Sequence, residues 1–530
     1  MALIRSITTV GGFTLLSRLA GFLRDILLAA ILGAGPAADA FFVAFKFPNL
    51  FRRLFAEGAF AAAFVPTYSG LLISAGRDAA RRFADDALSV MLLALFVFVA
   101  AVEILMPYAM MGIAPGFMGE PEKFALAVEL TRITFPYLLF ISLVALMGAV
   151  LNAHERFAAA ASAPVLLNIV LIAAILGWGH FARSPAVGLA WGVAAGGVLQ
   201  FAWLALALTR DGLPLRLRWP RLTPQLRKLL RLMLPVALGA GVYQINVVVD
   251  IVIGSLLPSG TISFLYYADR VNQLPLGVIG IAVATALLPL LARKIRAGDE
   301  AGAMESQNRA LEFALVLTLP AAFALMVAAG PVISVLFGRG AFGAGAQEAT
   351  AWVLVAYALG LPAHVMVKIL ATGYFAREDT KTPVKIAVVA LAVNVVLNLI
   401  LMGPLAHVGI ALATSISAFV NAALLALGLY RTGRLNLDVN FRRKLPRIVL
   451  ASAAMAAAVG AVVLASGDVM AASNFGRITY LAAIVIGGMA LYLVLALLLG
   501  AISIGDLKRV LGDKDVEPGP AKGGGTAPVP

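Results

Sequence analysis

Apolar runs of about 20 residues, each long enough to cross ~30 Å of hydrocarbon as a helix, recur along almost the whole of this 530-residue sequence. A backbone in lipid must satisfy its own hydrogen bonds, and runs of this length specify helices rather than strands. Their cores lie near residues 7–32, 40–72, 87–112, 126–151, 163–180, 186–209, 227–256, 262–292, 308–328, 348–374, 384–402, 406–430, 446–466 and 478–500. The prediction is an all-α polytopic membrane protein with about 14 transmembrane helices, several long enough to tilt or bend. A composition of 62% hydrophobic and 13% charged residues agrees with it. The first run is expected to be a helix and not a cleaved signal, because Arg18 and Arg24 interrupt it and no small-residue cleavage site follows.

A formal charge of +14 raises the question of nucleic acid, but the placement of the basic residues answers against it. They gather in alternate connections, including Arg77, Arg81 and Arg82, the run from Arg210 to Arg231, Arg293 to Arg296, Arg377 to Lys385, and Arg431 to Arg447. The opposite connections offer only Lys123, Arg183, Arg339 and Arg477. An asymmetry of roughly six to one puts both termini in the cytoplasm, with membrane lipid headgroups as partners of the basic ends. Cysteine is absent, and His154, His180, His364 and His407 show no ligand spacing, so no thiolate chemistry and no resident cofactor are expected.

The sequence also repeats itself at an offset of about 220 residues. Val187-Gly188-Leu189-Ala190 through Gln200 to Arg210 aligns without a gap on Val408-Gly409-Ile410-Ala411 through Asn421 to Arg431. Upstream, Asn49 pairs with Asn272, Pro66 with Pro289, Pro107 with Pro331 and Pro136 with Pro362. Each unit holds six helices, an even number, so the two copies share one orientation and form two lobes of a V about a central site. The expected domains are an N-lobe at 1–212, a C-lobe at 213–434, two further helices at 435–501, and a partly disordered tail at 502–530.

Charge inside the spans carries the functional reading. Helix 1 holds Ser17, Arg18, Arg24 and Asp25 within an arc of roughly 120°. Helix 2 adds Asp39, Lys46, Asn49, Arg52, Arg53 and Glu57, with Pro48 free to bend it. The second repeat contributes Asp269, Arg270 and Gln273, then Lys368 one turn after His364. A cation at the bilayer centre costs ~2.5–3.5 kcal/mol, so four arginines facing lipid would cost ~10 kcal/mol or more. Arg18, Arg24, Arg52 and Arg270 must therefore line a hydrated cavity. Their excess over acid implies an anionic ligand, and planar guanidinium forks suit a pyrophosphate. Asp25 and Asp39 are expected to orient those forks. The competing reading is that the acids simply pair with the arginines and hold the lobes together. A second cluster, Asp250, Asn394, Asn398 and Thr414, offers oxygens to a monovalent cation such as sodium, against the plainer reading of helix–helix hydrogen bonding.

Phe47-Pro48-Asn49-Leu50-Phe51-Arg52-Arg53-Leu54-Phe55-Ala56-Glu57-Gly58-Ala59-Phe60, preceded by Ser17-Arg18-Leu19-Ala20-Gly21-Phe22-Leu23-Arg24-Asp25, resembles the signature of the MurJ (MviN) lipid II flippases. These belong to the multidrug/oligosaccharidyl-lipid/polysaccharide exporter superfamily, and the likeness covers the chain through its last apolar span. It implies a bacterial inner-membrane protein that flips lipid II, an undecaprenyl-pyrophosphate-linked disaccharide-pentapeptide, by alternating access. It also implies substrate contacts from Arg18, Arg24, Arg52 and Arg270, with Asp25 and Asp39 beside them, and a prenyl-tail groove along the last two helices. The Asp250 cluster suggests coupling to membrane potential or a monovalent cation, and the cell-wall synthesis machinery is the class of protein partner such a role brings near. The alternatives are a flippase for another polysaccharide-lipid, a multidrug exporter, which should present acids to lipophilic cations, and a polyprenyl-phosphate transferase. The last is disfavoured because the only adjacent pair of aspartates, Asp85-Asp86, lies at a helix end, and no nucleophile–base constellation or P-loop is present.

Overall fold

The computed structural model describes residues 2–53, 59–178, 182–466 and 474–502. It is helical throughout, with no strand among the described residues. The N-lobe comprises α1 (Ala2–Leu32), α2 (Pro36–Phe51), α3 (Ala59–Ser74), α4 (Gly76–Ile104), α5 (Met106–Ile113), α6 (Pro121–Thr134), α7 (Tyr137–Ala153), α8 (Phe157–Ala173) and α9 (Pro185–Arg210). The C-lobe comprises α10 (Pro224–Ser255), α11 (Thr261–Pro275), α12 (Ile281–Arg296), α13 (Glu300–Val327), α14 (Ala329–Phe337), α15 (Ala344–Phe375) and α16 (Lys381–Arg431). The appended pair is α17 (Val439–Ala465) and α18 (Asn474–Leu498).

Among the described residues ten helical stretches are long and apolar enough to cross a membrane, fewer than the fourteen spans predicted. The difference is four spans. The first carries Arg18, Arg24 and Asp25, the second is described only on either side of residues 54–58, and the seventh is counted only as a shorter apolar helix, Gln244–Ser255. The eleventh and twelfth are counted as one stretch, Lys381–Arg431. That stretch is not straight. Twenty residues of continuous helix would separate Asn394 from Thr414 by ~30 Å, yet Asn394 Nδ2 lies 3.4 Å from Thr414 Oγ1. The chain reverses at Ala406, where φ is 47° and ψ −126°, two residues after Pro404 removes a backbone donor.

The repeat is visible in the elements themselves. In each lobe a long helix ends in one non-helical residue, Leu105 or Ala328, and restarts as a short helix carrying Pro107 or Pro331. The span of α11–α12 is interrupted midway, where Pro275 precedes a π-helical turn at Leu276–Gly280. Glu57 and His180 lie outside the described residues, as do residues 503–530 of the tail.

The lobes are joined by an extended segment clipped to α4. Asp85 Oδ1 accepts the Arg216 N–H at 2.8 Å, Ser89 Oγ accepts the Arg218 N–H at 2.8 Å, and Arg218 Nε stands 3.3 Å from Asp85 Oδ2. The appended helices lie on the C-lobe. Glu312 of α13 pairs with Lys444 of α17 and, at 3.1 Å, with Arg309. Tyr492 of α18 donates to the Val316 carbonyl at 2.7 Å.

The α16 reversal depends on a close approach. A methyl group at Gly409 would sit 2.4 Å from the Leu401 carbonyl oxygen, whereas one at Gly403 would meet nothing within 4 Å. Gly409→Ala is expected to cost about 1–3 kcal/mol and to lower the apparent unfolding temperature in detergent, while Gly403→Ala leaves it within about a degree or two of wild type.

Candidate functional site

The charged residues converge where α1 of the N-lobe meets α11 of the C-lobe. Arg24 is 8% exposed and Asp25 is 2% exposed, values that make unpaired charge untenable at this depth. The Arg24 fork closes on one carboxylate oxygen: Nε and Nη2 donate to Asp25 Oδ1 at 3.0 and 2.7 Å. Nη1 donates to Asn168 Oδ1 of α8 at 2.9 Å, and the guanidinium lies 5.6 Å from the Phe45 ring centroid. Asn168 in turn donates to the Ser17 carbonyl at 3.0 Å, which brings Ser17 into the same network.

From the other lobe, Tyr266 donates to Asp25 Oδ1 at 3.0 Å. Arg270 stacks its guanidinium 4.7 Å over the Tyr266 ring and holds Nε 3.7 Å from Asp25 Oδ2. That separation is too long for a hydrogen bond, and the buried Nε has no acceptor. One carboxylate therefore serves two guanidiniums from opposite lobes. Lys46 lies 5.7 Å over the same tyrosine ring and within electrostatic reach of Asp269, which accepts from Gln273. Arg52 donates Nε to Asn49 Oδ1 at 2.9 Å, and Asn49 is held by the Phe45 carbonyl. Exposure rises from Arg24 and Asp25 through Arg270, Lys46 and Asp269 to Gln273 and Arg18, so the cleft opens toward the N-terminal end of α1.

The other end is sealed, and Asp39 belongs to the seal. The expectation that it would orient the arginines is not met. Its Oδ2 accepts the Gly260 N–H at 2.7 Å, and its Oδ1 accepts the Ser263 N–H and hydroxyl at 2.9 and 2.6 Å, all at the start of α11. Lys123 completes the group, 3.3 Å from Asp39 Oδ2 and 2.7 Å from Ser259 Oγ. Around this polar latch the two backbones touch. The Ala341 N–H donates to the Ala30 carbonyl at 2.8 Å, and methyl groups at Gly33, Gly116 or Gly340 would stand 2.4, 1.9 and 2.1 Å from carbonyl oxygens of the opposite lobe. Gly33 and Gly340 also have φ of 63° and 59°, a left-handed conformation that glycine adopts without strain.

The second polar cluster is assembled within the C-lobe. Asn398 Nδ2 is 3.3 Å from Asp250 Oδ1 and 3.0 Å from Asn394 Oδ1, and Asn394 reaches Thr414. Among the described residues no group of three or more His, Cys, Asp or Glu side chains could hold a metal ion. Asn168, Tyr266, Ser263 and Lys123 join the site through the fold and are not among the residues the sequence predicts for it. Asn168 could have been, as the lone amide of apolar α8, and Lys123 as a lysine in an otherwise basic-poor set of connections; nothing in the sequence singles out Tyr266 or Ser263.

Two lobes of duplicated helices around a cationic cleft, sealed at one end, define a transporter fold of the alternating-access kind. A solved multidrug resistance MATE family transporter of the MOP superfamily, in its inward-facing conformation, shares that fold at a TM-score of 0.65 over 79% of this chain and 94% of its own, with 18% identity. More specifically, the profile of the family described as lipid II flippase MurJ matches residues 28–486, and the chain belongs to that family. The probable lipid II flippase MurJ of Rhizobium meliloti (strain 1021) is 45% identical over 515 residues, 96% of each chain. The lipid II flippase MurJ of Burkholderia cenocepacia is 38% identical over 438 residues, 82% of this chain and 85% of its own. A solved lipid II flippase MurJ in an inward closed conformation matches at a TM-score of 0.78 and 25% identity, over 95% of this chain and 99% of its own.

The seal makes a directional prediction. Gly116→Val would drive a side chain into Ser255 only while that end is closed, so it favours opening there. A cysteine replacing buried Ala38 should then react with a water-soluble maleimide about 5–30-fold faster, the factor for 1–2 kcal/mol of bias, while Gly119→Val, which meets nothing, leaves the rate unchanged.

Proposed function

We propose that this protein flips lipid II from the cytoplasmic to the outer leaflet of a bacterial inner membrane by alternating access, as a transporter and not an enzyme. The observation that carries the reading is the charge imbalance at the lobe interface. Arg24 and Arg270 share the single carboxylate of Asp25, and Arg270 keeps a buried donor without an acceptor. A pyrophosphate supplies the missing acceptor to Arg270 and can replace Asp25 beside Arg24, which bridges both lobes at once. The relatives named lipid II flippase support the same substrate. The multidrug exporter reading has the fold in its favour, but a cleft with cations in excess repels a lipophilic cation.

The basic connections give the orientation. They lie at the open end of the cleft and leave the Asp39–Lys123 seal facing the outer side, with both termini cytoplasmic. In this state the substrate enters from the cytoplasm. Its tail has a place in the C-lobe, where a cavity of about 440 Å³ is lined by Leu311, Phe323, Met366, Phe419, Phe441 and Leu445. That is within the range of pockets for small apolar ligands, about 300–1,000 Å³, so it takes part of a long prenyl chain. The segment 435–501 serves as its outer wall, and the units 1–212 and 213–434 move as the two lobes.

The cluster around Asp250 fits a monovalent cation. Asn398 Oδ1 is buried without a hydrogen-bond partner, and a single carboxylate among neutral amide and hydroxyl oxygens matches one positive charge. Asp250, Asn394, Asn398 and Thr414 would hold the ion, and binding there would couple the ion gradient or membrane potential to the lobe motion. Proteins of the wall-synthesis machinery are the expected recipients of the flipped precursor.

In vesicles carrying labelled lipid II, the wild-type protein should expose label in the opposite leaflet; no transfer above protein-free vesicles would overturn the proposal. Arg24→Lys, Arg52→Lys and Arg270→Lys keep the charge and lose the fork, so each should slow transfer by about 10–100-fold, the factor for ~1.5–3 kcal/mol of charge-assisted hydrogen bonding. Near-full transfer by all three would favour a purely structural pairing. Ala426→Trp, which fills the C-lobe cavity, should impair transfer of a full-length prenyl substrate more than that of a short-chain analogue, and equal losses would remove the tail assignment.

A further inference from the structure

We infer that Arg18 of α1 and Lys368 of α15, one from each lobe, form a second anion subsite astride the turn Leu276–Gly280, and that an oxyanion of the lipid-linked substrate bound there draws the open ends of the lobes together. The inference rests on the flippase reading and adds a subsite and a closing step to it.

The two cations grip the same turn from opposite lobes. A methyl group at Gly277 would stand 3.1 Å from Arg18 Nη1, and one at Gly280 would stand 3.3 Å from Lys368 Cδ. Gly280 has φ of −67°, so glycine is present there for space and not for an unusual backbone. The absent side chains let an arginine and a lysine lie against the π-helical turn. Neither cation has a carboxylate within ion-pair distance among the described residues, where the ion pairs of the cleft run through Asp25 instead. Arg18 lies within electrostatic reach of Lys368 and repels it. His364, one turn away, is bonded to the Gly360 carbonyl through Nδ1 at 2.8 Å and brings no negative charge.

Two unneutralised cations inside apolar spans cost free energy that water alone offsets poorly. Repulsion between them acts across the lobe interface and holds the cytoplasmic ends apart. An anion between them reverses the sign and attracts both lobes. Arg18 lies six residues, about 9 Å of helix, from Arg24 toward the opening. A substrate with one phosphate at Arg24 and Arg270 therefore presents its next oxyanion toward Arg18 and Lys368. That group is either the second phosphate or a carboxylate of the peptide. The lobes then close on a filled cleft and resist closing on an empty one.

The test is a distance measurement on the full chain in lipid nanodiscs, with spin labels on cysteines replacing Arg77 and Ala297, both exposed. In wild type, the complete lipid-linked precursor should shorten the distance. Lys368→Gln should shorten it already without ligand, because the repulsion is gone, and should raise the precursor midpoint by about tenfold or more. Lys368→Arg should keep both wild-type behaviours, which separates charge from packing. Undecaprenyl pyrophosphate without sugar or peptide identifies the oxyanion: if it shows the same Lys368→Gln effect the group is the second phosphate, and if only the complete precursor does, it is a peptide carboxylate. A Lys368→Gln protein that matches wild type in ligand-free distance and in midpoint overturns the subsite while leaving the flippase reading intact. Failure of the wild type to bind either lipid overturns both.

Discussion

Placing guanidinium groups in the interior of an apolar helix assembly is the constraint on which the remaining architecture depends. Arg24 is covered by protein, and its charge is tolerable only because Asp25, Asn168 and Tyr266 satisfy its donors. Two of these partners come from other helices and one from the other lobe. The Arg24–Asp25 pair is local to α1, but the full set of bonds cannot form until α1 has packed against both α8 and α11, which ties the local chemistry to the global arrangement. Arg270 enters the same network incompletely, with a stacked face and an unsatisfied Nε. The unsatisfied Nε is the donor on which the proposed binding of an anion rests.

The contacts between the lobes are concentrated at the sealed end and differ in kind from those in the cleft. At the seal, backbone meets backbone through Gly33, Gly116 and Gly340, and Asp39 accepts three bonds at the start of α11. These bonds are short-range and geometrically demanding, so they are lost together when the lobes separate by even a few ångströms. Long-range charge interactions in the cleft decay more slowly. A seal that breaks abruptly next to a site that holds its ligand over a range of distances is the combination that alternating access needs.

The duplication supplies the lobes and also explains why they are not equivalent. Prolines recur at matched breaks, such as Pro107 and Pro331, so both copies bend alike. Arg18 and Arg24 in the middle of α1 have no counterparts in α10, whose Arg227, Lys228 and Arg231 lie in its first turns and whose Asp250 faces Asn398. The second copy instead holds the amide and hydroxyl cluster on α16 and carries α17 and α18. One lobe thus presents mainly positive charge to the cleft, and the other provides the oxygen-rich cluster, the apolar cavity and the linker to the appended pair.

Much of this was legible before any fold was seen. Apolar run length defines helices because lipid leaves the backbone no other partner, and the spacing of Ser17, Arg18, Arg24 and Asp25 defines a face because helix periodicity is local. The asymmetry of basic connections and the repeat are properties of the chain alone. The division of acids between two jobs was not legible. Asp25 and Asp39 look alike in sequence, each an acid in an early span of a basic-rich region, yet one neutralises arginines and the other latches the lobes. Their roles follow from which part of the C-lobe lies opposite, the middle of α11 for Asp25 and its first turn for Asp39. The same holds for Tyr266, whose hydroxyl and ring matter only because Arg24, Lys46 and Arg270 surround it, and for Gly277 and Gly280, whose lack of a side chain matters only because Arg18 and Lys368 press on that turn. Sequence by itself determined the helices, their polar faces and the surplus of positive charge, since these arise from neighbours along the chain. Apart from the neighbouring Arg24 and Asp25, the choice of partners was left to tertiary structure, because contacts such as Arg270–Asp25 and Gly260–Asp39 depend on distances of a few ångströms between residues hundreds of positions apart.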